Sequence, residues 1–384
     1  MGATPNATEH AIMPTKRQNL IDLLAGRTPR WTPCSINLAQ WYVHHRSRGT
    51  LPEELRQTRT HVDALKALGC DIFSRNCDSG FRERRDGFEA VTTIQPGPHG
   101  PRTIERLDTP HGSLRRVVEA QTEISTHYTV EDLVKDWSRE GQAYLWQLQR
   151  THYAWDRAVF DESQSQVGDE GIVLAGVGCT PLKRLHVDFG LDHACLFIVD
   201  QPDAAKTVCD IYWQRLWPVL QDMADDDRIH AACLMDNVDA PFYPPDLCEL
   251  YWTPYVRQAT ELFVRRGKRL LVHACGQLHQ LKQTFCDAQV HGLEGMAHPP
   301  IGNFTPADAH DMPEGFIFNG GFTVHEQVIL PDDQLDDRYD AFFRNLKGYP
   351  YFIFGAACQT EINTPWPRIK RVVDLCREHG GRPE

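Results

Sequence analysis

A histidine and a cysteine stand two residues apart where an apolar segment ends. In the stretch LLVHACGQ, His273 and Cys275 follow leucine and valine and come just before Gly276. Side chains two apart on a strand point to the same face, so this imidazole and this thiol would face one direction together. The glycine allows the backbone to turn directly after them. The spacing therefore favours two ligands of one metal ion.

A third ligand is predicted at the end of another apolar segment. The stretch YFIFGAACQTE runs through a glycine into Cys358. One imidazole and two thiolates favour Zn²⁺ over harder divalent ions, and three protein ligands leave the fourth position of a tetrahedral site open. We therefore predict a catalytic zinc site formed by His273, Cys275 and Cys358.

Two alternatives stay open for this set of residues. Cys286 is a rival third ligand, although its surroundings, QLHQLKQTFCDAQ, predict a helix packed against the outside of the strands. The second alternative is that His273 is a hydrogen-bonded core histidine and that both cysteines are buried small side chains, as most free cysteines are.

Further candidates are polar residues at or just after the ends of apolar segments, or beside a predicted ligand. They are Asp236, Asn237 and Glu294 as catalytic residues, and Gln277, His298 and Asn319 as substrate-binding residues. Ordinary capping of a loop explains Asp236 and Asn237 equally well.

Eight short apolar segments alternate with stretches of helical periodicity. The segments are residues 31–36, 70–73, 171–176, 231–235, 269–273, 291–294, 315–319 and 351–354. Nearly continuous apolar runs are typical of parallel strands that helices cover on both faces. Eight such units predict an α/β fold, a (β/α)₈ TIM barrel, whose catalytic residues lie at the carboxyl ends of the strands.

The alternation breaks once, at about residues 102–130. This region predicts β-hairpins with a turn at TPHG, and we interpret it as an insertion after the second barrel strand. Residues 16–384 are predicted to form a single barrel domain that includes the insertion. Residues 1–15 are predicted to be a flexible N-terminal arm.

The composition excludes several classes of partner. The 384 residues carry a formal net charge of −12, with scattered lysine and arginine, which argues against nucleic-acid binding and against a basic membrane patch. No segment has the length of a membrane span, and the N-terminal stretch lacks the apolar run of a signal peptide. The twelve cysteines include no CxxC pair and fit reduced thiols. We expect a cytoplasmic enzyme with a small-molecule substrate.

The order of several motifs resembles the uroporphyrinogen decarboxylase superfamily. TPHGSL is similar to its T-P-x-G-x-L hairpin, GVGCTPLKRLHVDFG to its third-strand loop, and LEGMAHPPIGN to the branch that includes aromatic O-demethylases. Its zinc-dependent, corrinoid-linked methyltransferases, such as methylcobamide:coenzyme M methyltransferases, carry H-x-C-G at one strand end and a distant cysteine. His273, Cys275 and Cys358 match that pattern.

The resemblance implies a zinc-dependent methyltransferase of the uroporphyrinogen decarboxylase type. It would move a methyl group between a corrinoid such as methylcobalamin and a small thiol, methoxylated or other methyl-bearing substrate. No D-x-H-x-x-G motif is present, so the corrinoid would be free or on a partner protein. The arginine-rich segment R-Q-A-G-R-Y is replaced by NLAQWYVHHRSRG, which argues against porphyrinogen decarboxylation. The alternative is a decarboxylase-like enzyme without catalytic zinc, and a homo-oligomer is compatible with either function.

Overall fold

A computed structural model describes residues 13–346 and 348–381. The first twelve residues of the predicted N-terminal arm lie outside the described residues. The helices are α1 (Lys16–Leu24), α2 (Ala39–Arg48), α3 (His61–Ala67), α4 (Trp137–Gln149), α5 (Arg157–Val167), α6 (Pro181–Phe189), α7 (Leu191–Asp200), α8 (Pro202–Asp225), α9 (Pro245–Tyr251), α10 (Thr253–Arg265), α11 (Lys282–Asp287), α12 (Pro306–Ala309), α13 (Leu335–Asn345) and α14 (Trp366–Gly380). The strands are β1 (Ile72–Ser74), β2 (Phe81–Arg85), β3 (Ala90–Gln95), β4 (Arg102–Thr109), β5 (Gly112–Gln121), β6 (Thr126–Glu131), β7 (Thr151–Trp155), β8 (Gly171–Val173), β9 (Ala175–Gly176), β10 (Ala231–Val238), β11 (Arg269–Ala274), β12 (Gly292–Met296), β13 (Ile317–Phe322) and β14 (Phe352–Ala356).

The central strands are parallel and alternate with helices. Strands β9 to β14 form one parallel sheet in chain order, and β1 pairs in parallel with β8, which is separated from β9 by Leu174 alone. Strands β11 to β14 are buried almost throughout, because helices cover one face and the core covers the other. The α/β class predicted from the sequence is confirmed.

All but one of the predicted apolar segments overlap a strand. The exception is residues 31–36, where only Cys34 forms a bridge, parallel to Phe354 of β14. Pro33 precedes Cys34 and has no N–H to donate, which limits regular pairing in this segment.

The β insertion begins earlier than the predicted residue 102. Strands β3 to β6 form a four-stranded antiparallel sheet, and β2 pairs with β7 in a separate antiparallel ladder. The turn at TPHG joins β4 to β5, where Thr109 pairs with Gly112. Every residue of β3 after Ala90 is exposed, so this strand has no alternation of apolar and polar residues to reveal it.

A buried cluster fixes which end of the strands is open. Leu20, Leu23 and Leu24 of α1 pack with side chains of β1, β8, β10, β11, β13 and β14. Because β11 contributes Leu271 to this cluster, residues 273 and 275 follow on the same face, farther toward the carboxyl end. The helix α1 therefore covers the amino-terminal side, and the opposite side presents the strand ends that carry polar residues. Among the described residues, every helix is too short or too polar to cross a bilayer.

Candidate metal centre

Three side chains from two distant segments converge at the carboxyl ends of the parallel strands. The ligand atoms of His273, Cys275 and Cys358 all lie within 4.8 Å of one another. His273 is buried and the two cysteines are half-buried, so the group is reached from one side. It is the one potential metal-binding group of histidine, cysteine or acidic residues in the described ranges, and the rival Cys286 lies on α11 outside it.

The backbone at Cys358 is held in an unusual conformation. Its φ is 74°, in the left-handed region that non-glycine residues rarely adopt. The Cys358 carbonyl accepts hydrogen bonds from Arg75 Nη2, at 3.0 Å, and from Asn37 Nδ2. Such strain persists where several contacts fix the conformation, as it does at many functional sites. Here the contacts direct the Cys358 thiol toward His273.

A carboxylate orients the imidazole. The parallel register of β11 and β12 places His273 beside Glu294, whose Oε2 lies 2.5 Å from His273 Nδ1. Arg75 Nε lies 2.9 Å from the same oxygen, an ion pair whose N–H is not aimed directly at it. A carboxylate on one ring nitrogen is the usual way to present the other nitrogen to a metal. His273 Nε2 is therefore the nitrogen available for a metal ion.

The charges of these groups shift one another's pKa values. Burial alone would lower the pKa of His273, but the charge of Glu294 and a hydrogen bond with Cys358 raise it to about 9. Burial alone would raise the pKa of Glu294, but the charges of Arg75 and His273 lower it. These buried groups are charged near neutral pH, and each charge has an opposite neighbour.

A hydrogen bond between the two thiols shifts their pKa values in opposite directions. A hydrogen bond from Cys275, helped by the charge of His273, lowers the pKa of the Cys358 thiol. The same hydrogen bond to Cys358, together with burial, raises the pKa of Cys275. A metal ion bound by all three ligands would have to displace the protons of His273 and Cys275.

A glycine gives the imidazole its space. Gly295, with a φ of +85°, lies so close that a Cβ atom there would come within 2.7 Å of His273 Cε1 and 2.8 Å of His273 Nδ1. Real Cβ atoms do not approach other atoms that closely, so no other residue fits without moving the ring. This requirement adds Gly295 to the functional residues.

The predicted catalytic residues occupy different environments. Glu294 contacts His273, as described above. Asp236 is fully buried, and its carboxylate accepts from Thr180 N and from Trp252 Nε1, both at 2.7 Å. Asn237 is exposed, with a φ of 51°, at an irregularity of β10. Burial raises the pKa of Asp236, but both its oxygens already have donors. Catalytic roles for the three stay predictions.

The predicted substrate-binding residues are also dispersed. His298 is buried, and its Nε2 lies 3.0 Å from Glu326 Oε1, whereas its Nδ1 has no hydrogen-bond partner within residues 13–346 and 348–381. Asn319 is buried on β13, next to Gly355 of β14. The Gln277 side-chain amide donates to Ile301 O at 3.0 Å. Substrate binding by His298, Asn319 and Gln277 stays a prediction.

Arg75, Asn37 and Gly295 belong to the candidate site but were not predicted from the sequence. Arg75 could have been predicted from the sequence. Phe73 belongs to the buried cluster that packs on α1, and side chains two residues apart on an extended chain face the same way. Asn37 directly follows the first apolar segment, and Cys358 follows the last segment after three further residues. The closeness of Gly295 to His273 depends on tertiary packing and leaves no signal in one sequence.

The sequence and the structure were compared with those of other proteins. No protein-family model matches the sequence, and the search of curated proteins finds no match. Among solved structures, the chain is similar to a methyltransferase from Methanosarcina mazei, with a TM-score of 0.61, over 95% of this chain and 99% of that one. The two sequences are 12% identical, so this similarity shows a shared fold.

Proposed function

We propose that the protein is a zinc-dependent methyltransferase that moves a methyl group between a corrinoid and a small thiol or methoxylated substrate. The observation that carries the proposal is the convergence of His273, Cys275 and Cys358 on one point at the carboxyl ends of parallel strands. The shared fold with a methyltransferase and the resemblance of the motifs support the same reaction.

The ligand atoms fit a tetrahedral zinc ion. With bonds of about 2.3 Å to sulfur and about 2.0 Å to nitrogen, ligand atoms in a tetrahedron lie roughly 3.5–3.8 Å apart. Separations of no more than 4.8 Å require small side-chain movements at most. Two thiolates and an imidazole are the donor set that zinc prefers, and three ligands leave one position for a substrate atom.

Zinc in this position would supply a Lewis acid that keeps a substrate thiol ionised at neutral pH, or polarises a methoxy oxygen. The residues of the chain provide the rest. Glu294 holds the His273 ring with Nε2 toward the ion, and Arg75 balances the charge of Glu294 while it fixes the Cys358 carbonyl. Cys275 lies beside an open cavity, through which substrate would reach the group.

We further propose that the parallel strands close into a (β/α)₈ barrel. Ser35 N donates to Phe354 O of β14 at 2.7 Å, and Asp71 N, next to β1, donates to Cys34 O at 2.8 Å. Segment 33–35 thus bonds to neighbours on both sides, and Leu174 joins β8 to β9. Together with the pairings of the other strands, these hydrogen bonds support a closed ring, and the cluster with α1 contains side chains from the strands of that ring. A barrel supports placing the site at its carboxyl end.

The test is zinc content together with methyl transfer. Protein purified without chelator should hold about one zinc per chain, and methylcobalamin should lose its methyl group to a thiol in its presence. Cys358→Ser should lose both zinc and transfer while it keeps the folded circular dichroism spectrum. Cys286→Ser, a half-buried cysteine outside the group, is the matched control and should change neither.

Two results would contradict the proposal. One is a zinc content far below one equivalent in the wild type, together with no methyl transfer to thiols or tetrahydrofolate and none from methoxylated aromatics. That result would favour the metal-free, decarboxylase-like alternative. Zinc bound by Cys358→Ser as tightly as by the wild type would remove that cysteine from the ligand set.

A further inference from the structure

A cavity of about 340 Å³ adjoins the candidate metal centre. Cys275 belongs both to the ligand group and to the cavity wall, so a molecule in the cavity lies next to the metal position. The volume is near the lower end of the range for small-molecule sites, which suits a compact substrate.

The cavity wall carries two opposite charges that do not pair. The ammonium of Lys183, on α6, makes no ion pair or hydrogen bond among the described residues. The Asp239 carboxylate accepts one hydrogen bond, from Gln277 N at 2.7 Å. Like Lys183, it forms no ion pair with any described residue. Neither group forms an ion pair with the other or with a third described residue, although the Lys183 charge acts on the buried Asp236 from a distance, so both can bind a ligand.

A buried imidazole stands beside Lys183. His186 lies one helical turn after Lys183, on the same face of α6, and also lines the cavity. It is 9% exposed, its ring packs edge-on against Tyr243 at 5.4 Å, and its Nε2, which is shielded from solvent, has no hydrogen-bond partner among the described residues. Burial, together with the charge of Lys183, lowers the pKa of His186 to about 4, so the ring is neutral at pH 7. His186 therefore adds no charge to the cavity wall, which leaves Lys183 as the cation of that wall.

The carboxylate lies close to the metal position. Gly276 follows Cys275, and a Cβ atom on it would come within 2.1 Å of Asp239 Cγ. Asp239 is thus packed directly against the backbone next to a ligand, whereas Lys183 and His186 approach from the helix α6.

We propose that this cavity binds the head group of a zwitterionic thiol, an α-amino acid whose side chain carries the sulfur. The inference rests on the proposed function, because it names the substrate class of the same site. Asp239 receives the ammonium group, Lys183 receives the carboxylate, and the thiol reaches the position beside Cys275. The substrate ammonium and carboxylate replace the water on the two unpaired charges.

Thiols that lack either the carboxylate or the amine test the Lys183 and Asp239 contacts separately. The probes are L-cysteine and L-homocysteine, cysteamine, which lacks the carboxylate, and 3-mercaptopropionate, which lacks the amine. Calorimetric titration of zinc-loaded protein should show that at least one of the two amino acids binds about 10-fold or more tighter than both trimmed thiols. Equal affinities for all four thiols would overturn the proposal.

Two variants assign the charges to residues. Lys183→Gln should weaken binding of the preferred amino acid by about 10- to 100-fold and leave cysteamine unchanged. Asp239→Asn, which keeps an acceptor for Gln277 N, should weaken the amino acid similarly and leave 3-mercaptopropionate unchanged. Lys206→Gln, an exposed lysine paired with Asp210, is the control and should change nothing. Variants that weaken all thiols alike, or none, would contradict the assignment.

A sulfur-free probe separates this proposal from the function. L-2-aminobutyrate should bind the wild type more tightly than Lys183→Gln, with or without zinc, because the head-group contacts do not require sulfur. Retention of that difference without methyl transfer would refute the function and support the amino-acid site. Methyl transfer to thiols regardless of their head group, with no binding of L-2-aminobutyrate, would support the function and refute the amino-acid site.

Discussion

Replacing Gly295 by alanine should displace the His273 ring from the metal position. The new methyl group would lie 2.7 Å from His273 Cε1, 2.8 Å from His273 Nδ1 and 3.3 Å from Cys358 N. The ring cannot retreat toward Glu294 without crowding the carboxylate that orients it. The substitution therefore acts on His273 and Cys358 at once.

The loss of folding stability in Gly295→Ala has two parts, and the loss of zinc affinity is a separate effect. An alanine at a φ of +85° costs about 1–2 kcal/mol of folding stability for its backbone conformation alone. Crowding in a packed interior adds about 1–3 kcal/mol. A ligand held in the wrong orientation typically loses zinc affinity by about 10- to 100-fold.

Gly267→Ala provides the matched control. Gly267 has a φ of +69° and nothing within 4 Å of the position that a Cβ atom would occupy. It should lose about 1–2 kcal/mol of stability in urea unfolding and keep wild-type zinc affinity, measured by competition with a chromophoric chelator. Gly295→Ala should lose more stability and also zinc affinity. Equal behaviour of the two variants in both measurements would refute the placement of His273.

The remaining predictions concern Arg75 and His291. Arg75→Gln removes the ion pair to Glu294 and one hydrogen bond to the Cys358 carbonyl, so zinc affinity should fall by about 10-fold or more with the fold intact. Arg82→Gln, a partly exposed arginine nearby in the sequence, should leave zinc affinity unchanged, and equal losses would contradict the role of Arg75. Burial lowers the pKa of His291 to about 4, below its value near 6.5 in the unfolded chain, and its Nδ1 accepts from Leu270 N. Between these two pKa values His291 is protonated in the unfolded chain but neutral in the folded protein. The free energy of unfolding should therefore fall by about 2–3 kcal/mol as pH falls from 6.5 to 4. His291→Asn should reduce that loss in urea unfolding at the two pH values, and an unchanged pH dependence would contradict the assignment.

The strands and the ligand group were readable from the sequence for one physical reason. Parallel strands buried on both faces need nearly continuous apolar runs, and such runs mark β10 to β14 clearly. Polar residues at the ends of those runs then identify positions at one edge of the sheet. His273, Cys275 and Cys358 could therefore be predicted as one group from the sequence alone.

The rest of the centre depends on contacts between distant segments. The ion pair of Arg75 with Glu294 joins β12 to the residue that follows β1, and the left-handed backbone of Cys358 is fixed from Asn37 and Arg75. No local pattern encodes those pairings. The strand β3 was missed for a different reason, since its exposed position imposes no periodicity on AVTTIQ.

X-ray absorption at the zinc edge tests the central claim most directly. Protein loaded with one equivalent of zinc and no substrate should show two sulfur neighbours at about 2.3 Å and one imidazole nitrogen at about 2.0 Å, with a light atom in the fourth position. In Cys358→Ser, any zinc that remains should have one sulfur neighbour. A coordination shell of nitrogen and oxygen alone, or the same two sulfurs in the variant, would contradict a centre built from His273, Cys275 and Cys358.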